Sequence, residues 1–269
     1  MRIRMNGKPM QCDATSLWKL REERYQTSKH LVVIFNGFQT DQDLALSEGD
    51  EVVFIEKGRI PQRDEFEAML SARHTPHVYE RVRRARVAVA GLGGLGSTVA
   101  VALARTGIGF LHLVDFDIVE PSNLNRQQYG VRHLGQHKTE ALATIIGEIN
   151  PYVRVHFDTV RVCEQNIAPL FREDDIVCEA FDRADAKAML VNGVLEHLPG
   201  KKIVAASGLA GYESSNTITT RKVMKYLYLC GDGDSDARPG RGLMAPRVSI
   251  CAGHQANMIL RLIQGSEDA

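Results

Sequence analysis

The stretch "RVAVAGLGGLGST", residues 86–98, decides the fold of this chain. A short apolar run ends in Gly91, Gly93 and Gly96, which are spaced as G-x-G-x-x-G, and a helical run follows. In the order strand, loop, helix, the first glycine allows a tight turn and the second admits phosphate oxygens to the backbone. The third lets the helix pack against the strand. The stretch therefore predicts a phosphate-binding loop at a helix N-terminus.

Beyond this loop, apolar strands and helical segments alternate over residues 81–269. Strands separated by helices of this length indicate βαβ units and a parallel sheet. We predict an α/β, Rossmann-like, mostly parallel sheet with helices on both faces. The strands that support it are "GFLHLVDFD", "VRVHF", "DDIVCEAFD" and "KKIVAASG". Towards the end, "NTITTRKVMKYLYLCG" predicts an extended, antiparallel segment, and "CAGHQANMILRLIQG" predicts a closing helix.

Residues 1–58 predict a separate small domain. The segments "RIRM", "PMQC", "TSLWKLREERY", "HLVVIF" and "EGDEVVFIEKG" follow the order β-β-α-β-β. That order in under 60 residues is typical of a β-grasp, ubiquitin-like fold. Residues 59–80 are interpreted as a polar connector with a short helix, in which Phe66, Met69 and Leu70 share one side. Residues 81–269 form the Rossmann-like domain.

The composition is that of a soluble globular protein, with 44% hydrophobic residues and a formal net charge of zero in 269 residues. No global charge draws the chain to nucleic acid or to a membrane, and we expect neither as a partner. The basic cluster in residues 81–86 is interpreted as a solvated helix end. The sequence shows neither an N-terminal signal segment nor an apolar run of about 18 residues, so we expect a cytoplasmic protein.

The glycine loop alone does not choose between a dinucleotide and ATP. Asp115 ends the next strand, about 20 residues after the loop, where a dinucleotide-binding fold places its ribose ligand. The downstream segment "DFDIVEPSNLNRQQYGVRHLGQHK" separates the two ligands, because the terminal phosphates of ATP require Arg, Lys and a divalent cation. Arg126 supplies a planar guanidinium and Lys138 a point charge. Asp182, at the end of a later strand, is placed to bind Mg²⁺.

Each of these residues also has a structural interpretation. Asn123 is a turn-capping residue in that alternative, and Arg126 and Lys138 are solvated surface charges. Asp182 is then the N-cap of the helix that starts near Ala184. Their joint occurrence around one glycine loop favours the ATP site.

These segments resemble a known family. "GLGGLG", "DFDIVEPSNLNRQ" and "GQHK", with Asp182 after the fourth strand, are similar to the ubiquitin-activating superfamily over about residues 70–265. The similarity is greatest to its bacterial ThiF/MoeB-like members. The resemblance implies that ATP adenylates the C-terminal glycine of a small sulfur carrier. It also implies a catalytic arginine near the N-terminus, supplied by the partner subunit of a homodimer, for which Arg73 is the candidate.

From the residues and the resemblance together, we predict two overlapping sets of site residues. The nucleotide-binding set is Gly91, Gly93, Gly94, Gly96, Asp115, Asp117, Ser122, Asn123, Asn125, Arg126 and Lys138. The catalytic set is Arg126, Lys138, Asp182 and Arg73, with Asp182 as the Mg²⁺ ligand.

The chain also departs from the family pattern. Many relatives carry two C-x-x-C pairs for zinc; the five cysteines here form none, so we expect no such zinc. Cys230 is either a small buried residue or a thiol nucleophile towards the carrier. Residues 1–58 resemble the carrier ThiS itself, but Gly58 continues into Arg59, so no free Gly-Gly carboxylate exists. The hypothesis is a degenerate carrier used for docking, dimerisation or regulation.

The expected function is therefore ATP- and Mg²⁺-dependent adenylylation of a ThiS-like sulfur carrier protein, in the biosynthesis of the thiamine thiazole. The alternatives are an NAD(P)-dependent oxidoreductase and a non-catalytic module that binds ubiquitin-like partners. Activation of a carboxylate on modified tRNA shares the same motifs.

Overall fold

The computed structural model describes residues 1–25, 30–74 and 77–269, and divides into two compact units, Met1–Glu80 and Arg81–Ala269. The predicted fold class is confirmed, with a small β-grasp unit followed by a mostly parallel α/β unit. Among the described residues, every helix is too short or too polar to cross a lipid bilayer.

The first unit is a five-stranded sheet with a helix on each face. In the sheet order β2-β1-β5-β3-β4, β1 and β5 pair parallel and the other neighbours pair antiparallel. The three-residue β4 is an addition to the predicted order; it returns from a turn at Asn36 and Gly37, which both adopt positive φ. The elements are β1 (Arg2–Met5), β2 (Lys8–Gln11), α1 (Leu17–Arg24), β3 (Leu31–Phe35), β4 (Phe38–Thr40), β5 (Glu51–Glu56) and α2 (Arg63–Arg73).

Helix α2 comes from the segment interpreted as a connector, and it packs on the β-grasp sheet. Its buried residues are Ala68 and Ala72, which lie against Ile34 and Val53. The predicted apolar side is only half-buried, because the helix lies close to the sheet and small residues are needed there. A Cβ atom on Gly7, for example, would lie 3.2 Å from the Cβ of Ala68.

The second unit contains a seven-stranded sheet in the order β11-β12-β10-β9-β6-β7-β8. All neighbouring strands pair parallel except β11 and β12, which pair antiparallel. The segment "NTITTRKVMKYLYLCG" contains both strands, and its antiparallel prediction is right for β11 only, because β12 also pairs parallel with β10. The elements are α3 (Val78–Val82, which begins in the first unit), β6 (Arg86–Ala90), α4 (Gly94–Arg105), β7 (Phe110–Val114), α5 (Lys138–Ile149), β8 (Arg154–Asp158), α6 (Glu164–Phe171), β9 (Ile176–Glu179), α7 (Ala184–His197), β10 (Lys202–Ala206), β11 (Thr219–Met224), β12 (Leu227–Gly231) and α8 (Ala245–Ile263).

The strand order reverses between β6 and β9. From β6 the chain passes through α4 to β7 on one side, whereas β9 lies on the other side. In open α/β sheets, ligands bind at the carboxyl ends of the strands at such a switch point. The glycine loop follows β6, and Asp182 follows β9, so the topology brings these two segments to one edge of the sheet.

Candidate active site

At two positions of the loop, another backbone segment comes so close that only glycine fits. Gly91 has a φ of +89°, and a Cβ atom there would lie 2.7 Å from the carbonyl oxygen of Ala180. A Cβ atom on Gly96 would lie 1.8 Å from the carbonyl oxygen of Gly91. The first turn of α4 therefore sits directly on the end of β6. Backbone amides in a first turn have no acceptor within their helix and are free to bind an anion.

The middle glycines have different surroundings. Gly93 is the N-cap of α4, and the nearest atom to a Cβ placed there would be the Gln127 Nε2, at 3.8 Å. A Cβ on Gly94 would lie 2.9 Å from Val248 and 3.4 Å from the Cγ of Arg126. Gly93 thus leaves the approach to the helix end open, while Gly94 allows Arg126 and helix α8 to lie beside it.

Asp115 connects the glycine loop to the end of β7. It is buried, and its Oδ2 accepts a hydrogen bond from the amide of Leu92 at 2.6 Å. Its Oδ1 accepts one from the amide of Asp117 at 2.8 Å. Each carboxylate oxygen still has a lone pair for another donor. The residue predicted to bind the ribose therefore also fixes the loop in place.

Lys138 and Asp117 form an ion pair next to Asp115. The Lys138 Nζ lies 3.0 Å from the Asp117 Oδ2, and the side chain of Lys138 is only 7% exposed. The backbone amide of Lys138 donates to the carbonyl of Asp117 as well, at 3.0 Å. The alternative of a solvated surface charge is therefore wrong for Lys138. Its ammonium group keeps further N–H donors for a ligand.

The SNLNRQ segment lies against the loop. Asn123 closes a 3-10 turn through its Oδ1, which accepts from the amide of Glu120 at 3.0 Å, so its turn-capping role is observed. Arg126 is half-buried, and its Nη1 donates to the Oδ1 of Asn125 at 2.8 Å and to the carbonyl of Ser122 at 3.3 Å. The guanidinium is thus held within the SNLNRQ segment, while the backbone and the Cγ of Arg126 lie beside Gly94.

Gln127 and Tyr129 are site residues that the sequence analysis missed. Gln127 is buried near Gly93, and its Oε1 has no hydrogen-bond partner among the described residues. The Tyr129 hydroxyl donates to the carbonyl of Leu92 at 2.8 Å. Burial raises the pKa of Tyr129, as do the nearby charges of Asp115 and Asp117, so it remains a donor. Gln127 lies inside the segment that signalled the site, so it was within reach of sequence reasoning.

Asp182 lies in the turn after β9, which packs against the glycine loop. A Cβ on Gly91 would lie 2.9 Å from the ring of Phe181. Asp182 is exposed, and the N-cap of α7 is Arg183, so Asp182 is not the helix cap of the alternative interpretation. Beneath the turn, the buried Glu179 accepts from the amide of Phe181 at 2.7 Å.

Glu179 is a further residue near the candidate site that no sequence motif indicates. Burial raises the pKa of its carboxyl, and the ammonium of Lys187, 3.1 Å away, opposes that shift. The side-chain Nε2 of Gln255 on α8 donates to the backbone carbonyl of Glu179 at 2.9 Å. Glu179 therefore supports the turn that carries Asp182 through the amide of Phe181, and Gln255 holds Glu179 itself against α8.

Two further residues from the sequence analysis are the candidate arginine Arg73 and the cysteine Cys230. Arg73 lies in the first unit, where its Nη2 donates to the Oε1 of Gln39 at 3.0 Å, and its catalytic role stays a prediction. Cys230 lies fully buried in β12. Burial raises the pKa of its thiol to about 11, although the hydroxyl of Thr220 opposes the shift.

Two known families match the two parts of this chain. The ThiF family matches residues 67–269, and a ThiS-like ubiquitin domain matches residues 1–58. The chain belongs to the ThiF family. The resemblance drawn from the glycine loop and the SNLNRQ segment is thereby confirmed, as is the resemblance of the N-terminal domain to ThiS.

Relatives of this ThiF-family chain include adenylyltransferases. It is 35% identical over 193 residues to the "Adenylyltransferase and sulfurtransferase UBA4" of Candida glabrata, covering 69% of this chain and 44% of the fungal protein. It is 29% identical to the "Molybdopterin-synthase adenylyltransferase" of Escherichia coli K12, covering 69% of this chain and 76% of that protein. The chain spans about a third to a half of the length of several other curated relatives.

A solved structure shares the fold. The E. coli tRNA N6-threonylcarbamoyladenosine dehydratase TcdA, in complex with ATP, superposes with a TM-score of 0.67 at 23% identity. The match covers 73% of this chain and 92% of that one.

Proposed function

We propose that this protein is an ATP-dependent adenylyltransferase that activates the C-terminal glycine carboxylate of a ThiS-like sulfur carrier. The observation that carries the proposal is the grouping of Arg126, Lys138 and the Asp182 turn around one glycine loop. A nicotinamide dinucleotide would leave both cations without a role, because its pyrophosphate can be satisfied by backbone amides and a helix dipole.

The residues present fit ATP. The helix amides and the open approach at Gly93 suit the phosphates, and the Gln127 Nε2, the atom nearest to a Cβ placed on Gly93, is a further N–H donor there. Asp115 keeps acceptor capacity for ribose hydroxyls. Lys138 and Arg126 add two positive charges, which match the triphosphate of ATP better than the diester-type pyrophosphate of a dinucleotide.

Asp182 fits Mg²⁺, since this ion is commonly held by one or two carboxylates together with substrate phosphates. When bound, the ion supplies charge neutralisation at the phosphates. Asp182 is exposed in the turn after β9, and its neighbour Phe181 lies close to Gly91, which supports Asp182 as a ligand near the phosphates.

The proposed step needs no general base. The terminal carboxylate of the carrier is ionised at neutral pH and attacks the α-phosphorus of ATP. An acyl–phosphate bond forms, the bond between the α-phosphorus and its bridging oxygen breaks, and pyrophosphate leaves with the electron pair. The protein aligns the reactants and neutralises charge; Arg126 and Lys138 are assigned to the leaving pyrophosphate.

The thiamine thiazole pathway, the homodimer and a contribution of Arg73 from the partner subunit belong to the same proposal. The N-terminal unit supports a carrier partner, since it is itself ThiS-like. It cannot be the substrate, because Gly58 is followed by Arg59.

Mixing inactive Arg73→Ala and Asp182→Ala chains tests the dimer. Recovered activity supports a site shared between subunits, and the absence of recovered activity argues against it.

The deciding experiment is mass spectrometry of purified ThiS after incubation with the protein, ATP and Mg²⁺. AMP added to the C-terminal glycine is the expected product. A ThiS variant that ends in Ala-Ala is the matched substrate control. If ThiS stays unmodified while threonylcarbamoyl-modified tRNA stimulates ATP turnover, the tRNA alternative replaces the carrier.

A further inference from the structure

A second group of residues that can bind a ligand lies on β7 and β8. His112, His156 and Asp158 bring one ligand atom each to within 4.8 Å of one another. The groove beside them, of about 740 Å³, is lined by residues of β6–β8, α6 and the segments that follow β8 and α6. Among the described residues, those that line the groove include none assigned to the ATP site.

The strand register explains why these three residues meet. His112 on β7 and His156 on β8 are paired neighbours in the parallel ladder. Asp158 follows His156 by two residues and therefore projects from the same face. The Asp158 Oδ2 lies 2.9 Å from the His112 Nε2 and 3.3 Å from the His156 Nε2.

The 3.3 Å separation is that of two ligands on one metal ion, whereas the 2.9 Å contact is a hydrogen bond that would lengthen by about 0.4 Å when the ion replaces the proton. In a tetrahedral site with bonds of about 2.0–2.1 Å, ligand atoms lie roughly 3.3–3.4 Å apart. His156 is mostly exposed, with 59% of its side chain accessible, so its ring can rotate to complete the set. Two imidazoles and one carboxylate favour zinc and neighbouring transition metals over Mg²⁺ or Ca²⁺.

A fourth residue orients the cluster. Asp174 is 1% exposed, and its Oδ2 lies 2.8 Å from the His112 Nδ1. A carboxylate on the far nitrogen of a metal-binding histidine fixes the ring and raises its basicity. The other oxygen of Asp174 is buried without a hydrogen-bond partner among the described residues. The ring of Phe171, 5.9 Å from that of His112, packs against the same histidine.

We propose that His112, His156 and Asp158 bind a divalent transition-metal ion such as Zn²⁺, with Asp174 as the residue that orients His112. Three protein ligands leave a position open towards the groove, as in zinc sites that hold a water or a substrate. The site is independent of the proposed adenylation, since none of its residues is assigned to ATP.

The competing explanation is that a proton, rather than a metal, holds the cluster together. Burial lowers the pKa of His112, but the hydrogen bonds and charges of Asp174 and Asp158 outweigh that effect and raise it. An imidazolium between two carboxylates would be a purely structural feature. Metal binding distinguishes the two explanations directly.

The test is zinc titration of the untagged, chelator-treated full chain by isothermal titration calorimetry. We expect one Zn²⁺ per chain in the wild type and in His197→Ala, which removes an exposed histidine of the same unit. His156→Ala should lose this site, and Asp174→Asn should weaken it by about 10–100-fold. Because His156 is exposed, its loss should leave the fold intact, which circular dichroism checks.

Cobalt provides a second readout. Co²⁺ in the wild type should give a visible absorption spectrum of a low-coordinate site, and His156→Ala should lack it. The proposal is overturned if the wild type binds no stoichiometric Zn²⁺, or if His156→Ala binds it as tightly as the wild type. ATP binding should be equal in all these variants, so the outcome is separate from that of the adenylation proposal.

Discussion

Gly91, at the end of β6, and Ala180, at the end of β9, approach so closely that a Cβ atom on Gly91 would lie 2.7 Å from the Ala180 carbonyl oxygen. This contact joins the glycine loop to the turn that carries Asp182. Glycine is therefore required at position 91 for two reasons: its φ of +89° and the absence of space for a side chain.

Gly91→Ala should destabilise the second unit and impair nucleotide binding. The left-handed backbone alone costs about 1–2 kcal/mol for a residue with a Cβ, and the contact with Ala180 adds to it. Gly147→Ala is the control, because Gly147 is an exposed helix residue with no atom within 4 Å of a Cβ. It should stabilise α5 by roughly 0.5–1 kcal/mol. Thermal unfolding with and without ATP-Mg²⁺ measures the stability and the nucleotide binding of both variants. A melting temperature of Gly91→Ala equal to that of the wild type would contradict the requirement for glycine.

The fold of the second unit could be predicted because its signals are local. The G-x-G-x-x-G spacing and the alternation of strands and helices determine a parallel sheet, and the connection rules limit its topology. The carboxyl ends of β6 and β9 then meet, so the sequence alone predicts that Asp182 lies near the glycine loop.

Other features depend on tertiary packing and could not be predicted. Whether Lys138 is buried depends on how its segment folds back on Asp117. The packing side of α2 depends on its distance from the sheet, which selects Ala68 and Ala72 over larger neighbours. The cluster at His112 depends on the register of β7 and β8 and on α6, which contains Pro169 and gave no helical signal.

Asp182→Asn should reduce carrier-dependent ATP–pyrophosphate exchange by at least about 100-fold, the usual effect of removing one electrostatic contact to a transition state. Asp185→Asn is the matched control: it removes another exposed carboxylate three residues away, whose partner is Arg183. Arg126→Ala should abolish exchange as well. The fold should survive in all three variants, and wild-type rates in Asp182→Asn or Arg126→Ala would disprove the site assignment.

Lys138→Met should lower the affinity for ATP while the protein stays folded. Methionine fills most of the buried volume of the lysine stem but removes the charge. The partner Asp117 is 48% exposed, so water can solvate its carboxylate once the lysine is gone. Calorimetric ATP titrations of this variant and of Lys225→Met, an exposed lysine of the same unit, make the comparison. If Lys138→Met binds ATP as tightly as Lys225→Met does, Lys138 does not belong to the ATP site.

Ala68→Leu should loosen the β-grasp unit, because α2 lies too close to the sheet for a larger residue. Overpacking of this kind costs about 1–3 kcal/mol. Ser71→Leu adds the same side chain to the exposed side of α2 and should have little effect. Hydrogen exchange of β3 and β5 in the full chain reports on this unit. Unchanged protection in Ala68→Leu would show that α2 is not part of its core.

The cysteines of the second unit should differ in reactivity, which tests whether Cys230 can act as a thiol nucleophile. Burial raises its pKa to about 11, so only about one thiol in a thousand is ionised at pH 8. Burial raises the pKa of Cys178 and Cys251 too. Iodoacetamide at pH 8 should label the half-buried Cys163 first and the other three only in denaturant, as read by peptide mass spectrometry. Native labelling of Cys230 as fast as Cys163 would instead support a covalent intermediate with the carrier.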